Sequence, residues 1–312
     1  MHSWWGGLLG DGLAFDTSKY FIVCANILGS CYGSTSPTSP NPAHPDKKAY
    51  FTSFPDITVR DTVRLQLQML QKDLKIKSVK SVIGGSFGGM QTLEYNLLAG
   101  SENSEFLTED GKPFIRSAIP IACGAVHTAW QIAISETQRQ AIYADPKWNN
   151  GDVDPNDQPV TGLAVARQIG MVTYRTPLGY EQKFGRAVQK GSVEIGTKAV
   201  WQVKSYLEYQ GEKFLSRFDP ITYLKLTEQM DTHDVGRGRG GKEKALSTVK
   251  IPNLILGIDS DVLYPITEQE ELEELLPNSE LKAIRSDAGH DGFLLEQDQV
   301  GKHIIDFLDK IE

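Results

Sequence analysis

A chain of 312 residues with 40% hydrophobic composition can bury a large core, which fits one big α/β domain or a core with an inserted subdomain and excludes a small disulfide scaffold. Its formal charge is -8, from 40 acidic against 32 basic residues. No basic stripe interleaved with aromatics is present, so composition points away from nucleic acid and toward small-molecule substrates.

No run of about 18 apolar residues is present, so no membrane span is expected. The opening MHSWWGGLLGDG lacks the basic and apolar regions of a signal peptide, and a cytoplasmic location is expected. Cys24, Cys31 and Cys123 form no CxxC pair. Cys24 and Cys123 lie in apolar runs, where a thiol behaves as a small apolar residue, and all three are expected to be reduced.

In chain order, YFIVCANIL (residues 20–28) is a continuous apolar run of the kind a strand buried on both faces shows. The stretch 29–45, dense in Gly, Ser and Pro, is a long loop of the kind that often carries function. Residues 61–76 place Val63, Leu65, Leu67, Leu70 and Leu74 near helical spacing, with Asp61 as the cap. A short β-branched segment (79–85), a glycine cluster and a helix closed by Gly100 follow, and then a strand over 115–123. The order β, α, β, α, β is that of a mostly parallel sheet.

From 126 to 246 the periodicity becomes helical, which predicts an inserted helical cap between core segments 1–125 and 247–312. The α/β pattern then resumes with a strand at 251–258, a helix at 266–277, a strand at 280–287 and a last helix over 291–310. The acidic run 267–274 is read as a solvated helix face, and the five tryptophans as packing anchors.

The pentapeptide Gly84-Gly85-Ser86-Phe87-Gly88 satisfies G-x-S-x-G, with a strand before it and a helix after it, as a nucleophile elbow requires. The glycines are expected because a strained turn leaves no room for Cβ atoms beside the serine. A serine hydroxyl needs a base to take its proton, and in this fold the order along the chain is Ser, acid, His. His2 and His44 precede Ser86, His303 lies inside the last helix, and His127 and His233 fall in or beside the helical region. His290, in SDAGHDGF after the last strand, stands where an α/β-hydrolase carries its base. The acid should follow the preceding strand, where LGIDSDVLYP offers Asp259 and Asp261. Spacing alone does not choose. The x-x-x-Pro turn after Asp261 would lift its carboxylate off the strand end, which favours Asp261 and leaves Asp259 as a turn or capping residue. One oxyanion donor in this fold is the N–H of the residue after the serine, here Phe87. No pair of histidines has metal-ligand spacing, so no metal is expected.

Seven blocks, including WWGGLLGDGLAFDTSKYFIVCANILGSCYGSTSPTSPNP, VIGGSFGGMQTLEY, SYLEYQGEKFLSRFD, HDVGRGRGG, DSDVLYP and GHDGFLLE, run in order from residue 4 to 296 and resemble the homoserine O-acetyltransferase family. The resemblance implies an α/β-hydrolase fold used for acyl transfer. Acetyl-CoA, as co-substrate and without a permanently bound cofactor, would acylate Ser86, and the acetyl group would pass to L-homoserine by a ping-pong route in methionine biosynthesis. It implies Asp261 as the acid, Arg167 as the arginine that clamps the acceptor carboxylate, Tyr174 in the same pocket, and Asp291 toward the acceptor ammonium. Arg167 and Tyr174, seven residues apart, would share a helix face, and a planar guanidinium suits a bidentate carboxylate contact.

Phe87 stands where the family usually has methionine, and only its backbone N–H is required. The resemblance also implies early strands and a second oxyanion donor, both upstream of residue 1, and a homodimer built through the cap. Arg237 and Arg239 become candidates to face CoA phosphates. Serine or another alcohol as acceptor, succinyl-CoA as donor, an esterase, and a catalytically silent binding protein stay open as alternatives.

Overall fold

The computed structural model describes residues 2–192 and 199–311. Its described residues form four strands: β1 (Val82–Gly85), β2 (Ala118–Ile121), β3 (Asn253–Ile258) and β4 (Ser279–Ile284). All pairings are parallel, in the order β1-β2-β3-β4. Gly85 stands opposite Ile121, Ile121 opposite Leu256 and Ile258 opposite Ile284, so the loops after all four strands leave from one edge of the sheet. In open α/β sheets that carboxyl edge is where ligands bind.

Side chains alternate across the sheet with period two. Ala118 and Ile255 enter one core with Leu67, Leu93 and Leu272 from the flanking helices. Ile119, Ile121, Leu254, Leu256, Ile258 and Ile284 enter the other with Val300 and Ile304. Burial on both faces explains why β3 reads as an unbroken apolar run.

The chain divides into two compact units. The first, residues 1–25, 58–127 and 232–312, holds the sheet and its helices. The second, residues 26–57 and 128–231, is mainly helical. Its helices Ala129–Tyr143, Val160–Thr173, Gln202–Phe214 and Pro220–Asp231 enclose Ile142, Leu163, Ala166, Ile221 and Leu224. These limits differ from the expected 126–246 cap at both sides. Residues 26–57 pack with the helices: Phe51 joins their core, Asp56 pairs with Lys225 at 2.9 Å and the Thr52 hydroxyl donates to the Gly151 carbonyl at 3.3 Å. Residues 232–246 belong with the sheet, because the backbone N–H of Val235 donates to the Ala125 carbonyl at 3.1 Å and its side chain is buried in the sheet core.

Two local expectations are corrected. Residues 20–28 form no strand, and Phe21 is 79% exposed and Cys24 is exposed rather than buried. A strand exists only through its ladder, and among the described residues β1 pairs with β2 alone. The helix expected from 61 starts at Val59, its N-cap is Thr58, and Asp61 is the reciprocal member of a capping box. Among the described residues no helix is long and apolar enough to cross a membrane.

Candidate active site

The turn after β1 carries the serine. Ser86 has φ 56° and ψ -118°, and its N–H donates to the Ile121 carbonyl at 2.9 Å, which ties the turn to β2. A non-glycine residue in this region stores about 1–3 kcal/mol of strain, and such strain clusters at functional sites. The helix Phe87–Ala99 begins at the next residue, so the Phe87 N–H has no acceptor within the helix.

The glycines around Ser86 answer to different constraints. A Cβ on Gly84 would lie 2.3 Å from the Gly88 carbonyl oxygen, and one on Gly85 would lie 2.6 Å from Phe293 Cε2. A Cβ on Gly88 would meet nothing within 4 Å, so steric fit does not require the fifth position of the motif.

The loop after β3 separates the two aspartates that spacing left open. Asp259 is exposed, and its Oδ1 accepts the Ser286 N–H at 3.0 Å, so it braces the end of β4. Asp261 is buried. Its Oδ1 accepts the N–H groups of Leu263 and Tyr264 at 2.8 and 2.9 Å, and its Oδ2 lies 2.6 Å from His290 Nδ1. An acceptor-only carboxylate partner makes Nδ1 the donor and leaves Nε2 as the basic nitrogen. Ser260 links the loops after β3 and β4: its hydroxyl donates to the Ser286 carbonyl and accepts the Gly289 N–H at 3.1 Å.

His290 lies in a short 3-10 turn, Gly289–Asp291, followed by a helical turn that carries Phe293. The Phe293 ring meets the imidazole edge-on at 5.6 Å. The same ring packs on the site of the Gly85 Cβ, so it joins the residue before Ser86 to the face of His290. Asp291, beside His290, is half-buried. Ser86, Asp261, His290 and Asp291 thus all belong to the sheet unit, in loops at its carboxyl edge.

Arg167 and Tyr174 belong to the helical unit, at the helix Val160–Thr173 and its C-cap. The Arg167 guanidinium lies 5.5 Å from the Tyr174 ring centroid and 4.8 Å from that of Phe214. Two rings hold its plane in place, the arrangement in which a guanidinium is pre-oriented for a further partner.

Arg239 does not stand free for a phosphate. Its guanidinium reaches both oxygens of Glu94, at 3.0 and 2.7 Å, and Arg60 meets the same carboxylate at 3.3 Å. Burial raises the Glu94 pKa, but the hydrogen bond and charge of Arg239 and the charge of Arg60 outweigh it and hold the group below its ordinary range. Arg237 is exposed, and its backbone carbonyl accepts from Arg60 at 3.0 Å. His127 and His233 are buried in the sheet unit rather than in the helical one. Among the described residues no cluster of three or more His, Cys, Asp or Glu could hold a metal ion.

A parallel sheet with a strained serine turn, followed in chain order by a buried Asp–His pair, is the arrangement of one fold class. A family model described as an alpha/beta hydrolase fold matches residues 1–297, and the chain is an α/β-hydrolase-fold protein. It is 48% identical over 295 residues to the homoserine O-acetyltransferase of Salinibacter ruber, covering 95% of this chain and 80% of that one. It is 46% identical over 311 residues to the homoserine O-acetyltransferase of Chlorobium chlorochromatii, covering 99% and 81%. The chain belongs to the homoserine O-acetyltransferase family of acyltransferase enzymes. Its fold matches the crystal structure of homoserine O-acetyltransferase from Bacillus anthracis with a TM-score of 0.87 at 22% identity, covering 99% of this chain and 81% of that one. An acetylester hydrolase from Corynebacterium glutamicum matches with a TM-score of 0.81 at 25% identity, covering 99% and 82%.

Proposed function

We propose that this enzyme moves an acetyl group from acetyl-CoA to the hydroxyl of L-homoserine by a ping-pong route through acetyl-Ser86, as a step of methionine biosynthesis. The 2.6 Å contact between Asp261 Oδ2 and His290 Nδ1 carries the reading, because it supplies an oriented base in the chain order that Ser86 requires. Ser86 Oγ attacks the thioester carbonyl while His290 Nε2 takes its proton. The Phe87 N–H donates to the developing oxyanion, and the imidazolium returns the proton to the leaving CoA sulfur. In the second half, His290 takes the proton of the homoserine hydroxyl, whose oxygen attacks the acetyl ester, and Ser86 leaves with that proton.

On this reading Arg167 and Tyr174 receive the acceptor carboxylate, Asp291 its ammonium, and acetyl-CoA is a co-substrate rather than a bound cofactor. The enzyme works in the cytoplasm as a homodimer. The names of the relatives support the acceptor and the acyl group.

A second reading, ester hydrolysis, is favoured by the likeness to an acetylester hydrolase, since the same triad hydrolyses an acyl-serine when water enters. The test follows free thiol from acetyl-CoA with homoserine, with serine and with no acceptor, and repeats it with succinyl-CoA. Release that depends on homoserine and acetyl-CoA is expected. Equal release without acceptor would favour hydrolysis, and preference for serine or succinyl-CoA would replace the acceptor or donor.

A further inference from the structure

Ser86 follows β1, Asp261 follows β3 and His290 follows β4, which leaves the loop after β2, the strand between β1 and β3, without a part in the chemistry described above. That loop carries His127, a polar side chain 4% exposed. Its Nδ1 shares a 3.1 Å hydrogen bond with the Tyr264 hydroxyl. Tyr264 is itself 2% exposed and touches both members of the Asp–His pair. Its backbone N–H donates to Asp261 Oδ1 at 2.9 Å, and its ring lies 5.3 Å from the His290 imidazole centroid at an interplanar angle of 33°.

The hydrogen bond that His290 Nδ1 donates to Asp261 Oδ2 fixes the direction of that nitrogen, but a single hydrogen bond does not by itself define the plane of a ring. The plane is set by what lies against it, Tyr264 on one contact and the edge of Phe293 on another. The phenol could itself rotate were its far end loose, and His127 pins that end. We propose that Tyr264, held by His127, is a positioning residue that fixes the plane of His290 and so aims Nε2 at the serine. The inference rests on the reading of Ser86 and His290 as nucleophile and base. His127 acts through Tyr264, since the bond that concerns it is the one to the phenol oxygen.

The experiment measures release of p-nitrophenol from p-nitrophenyl acetate, which reports acylation of the serine whichever acceptor is natural. Tyr264→Phe removes one oxygen and keeps the ring. It is expected to lower kcat roughly ten- to a hundredfold with KM unchanged, as loss of orientation does. His127→Ala is expected to give a similar loss, and the double variant no greater loss than either single one, because both break the same hydrogen bond. His127→Gln, which can still accept from the phenol, is expected to recover part of the rate.

If Ser86→Ala keeps the release, the reading of the nucleophile fails and this inference fails with it. If Ser86→Ala abolishes release while Tyr264→Phe runs at the parent rate, only the positioning role is overturned. Losses that multiply in the double variant, or a rise in KM with kcat intact, would also overturn it. Should His127→Ala fail to fold, Tyr264→Phe with an unchanged Tm decides alone.

Discussion

The two units place their functional residues by different means. In the sheet unit, backbone does the placing: Ser86 is fixed by its own φ and ψ and its N–H bond to Ile121, and Asp261 by two N–H groups of its own turn. In the helical unit, side chains do it: Arg167 is held between the rings of Tyr174 and Phe214, and the buried Tyr223 hydroxyl donates to Gln138. Backbone constraints hold atoms that must meet a reacting centre within a fraction of an ångström. Ring-stacked cations suit recognition, where a planar group must be presented but can adapt. On the proposed function, the sheet unit carries the triad together with Asp291, and the helical unit carries the proposed carboxylate contact, Arg167 with Tyr174.

The largest effects should come from the sheet unit. Ser86→Ala is expected to lower kcat by about 10^6-fold, and Asp261→Asn by about 10^4-fold through the wrong histidine tautomer, in both thioester and activated-ester assays. Asp259→Asn should leave the rate within a few-fold, since that carboxylate meets the Ser286 N–H rather than the base. Equal losses for the two aspartate variants would sink the assignment of the acid.

Arg167→Ala should separate the units. Loss of charge-assisted hydrogen bonds to a carboxylate, about 1.5–3 kcal/mol, corresponds to a roughly ten- to hundredfold rise in the KM for homoserine. Hydrolysis of p-nitrophenyl acetate, which offers no carboxylate, should be unchanged. If ester hydrolysis falls as far as acceptor use, the division of labour is wrong.

The same division marks what was legible in the sequence. Elements of the sheet unit are local objects: strand, glycine turn and helix follow one another over residues 82–99, and the order Ser, Asp, His survives as chain order. Even there, spacing alone leaves Asp259 and Asp261 open, because both follow β3; the proline turn and the family resemblance favour Asp261, the one that meets His290. The apolar run 20–28 suggests a strand because apolarity records a tendency to bury, whereas a strand requires a hydrogen-bonded neighbour that no local pattern supplies. That residues 26–57 pack with the helices is hidden for a related reason: their partners Gly151 and Lys225 lie far along the chain. Arg239 likewise pairs with Glu94 on a distant helix. The sequence shows His127 only as one of several histidines and gives Tyr264 no signal at all, since an aromatic three residues after the acid acquires a partner only when the sheet brings the loop after β2 beside it.

The smallest effect concerns how each unit responds to acid. In the sheet unit, burial pushes the His233 pKa down, against the hydrogen bond that its Nε2–H donates to the Gly124 carbonyl at 2.9 Å, so folding favours the neutral ring. The unfolded chain takes up that proton as pH falls below the ordinary 6.5, which removes stability from the folded state. Glu94, also lowered, stabilises fully above its ordinary 4.5 and loses that contribution on further acidification. In the helical unit the sign reverses at Asp231, whose pKa burial raises against the pull of Arg139, so falling pH relieves a cost there. His303 shares the downward direction through burial and Lys282, which is why the test must be a difference. His233→Gln keeps an N–H for the Gly124 carbonyl and removes the titration. Denaturant midpoints of the parent and this variant are expected to differ by a constant above pH 6.5 and to move in the variant's favour as pH falls from 6.5 toward 4.5. Two curves that stay parallel across that interval would show that the buried imidazole does not set the acid response of the sheet unit.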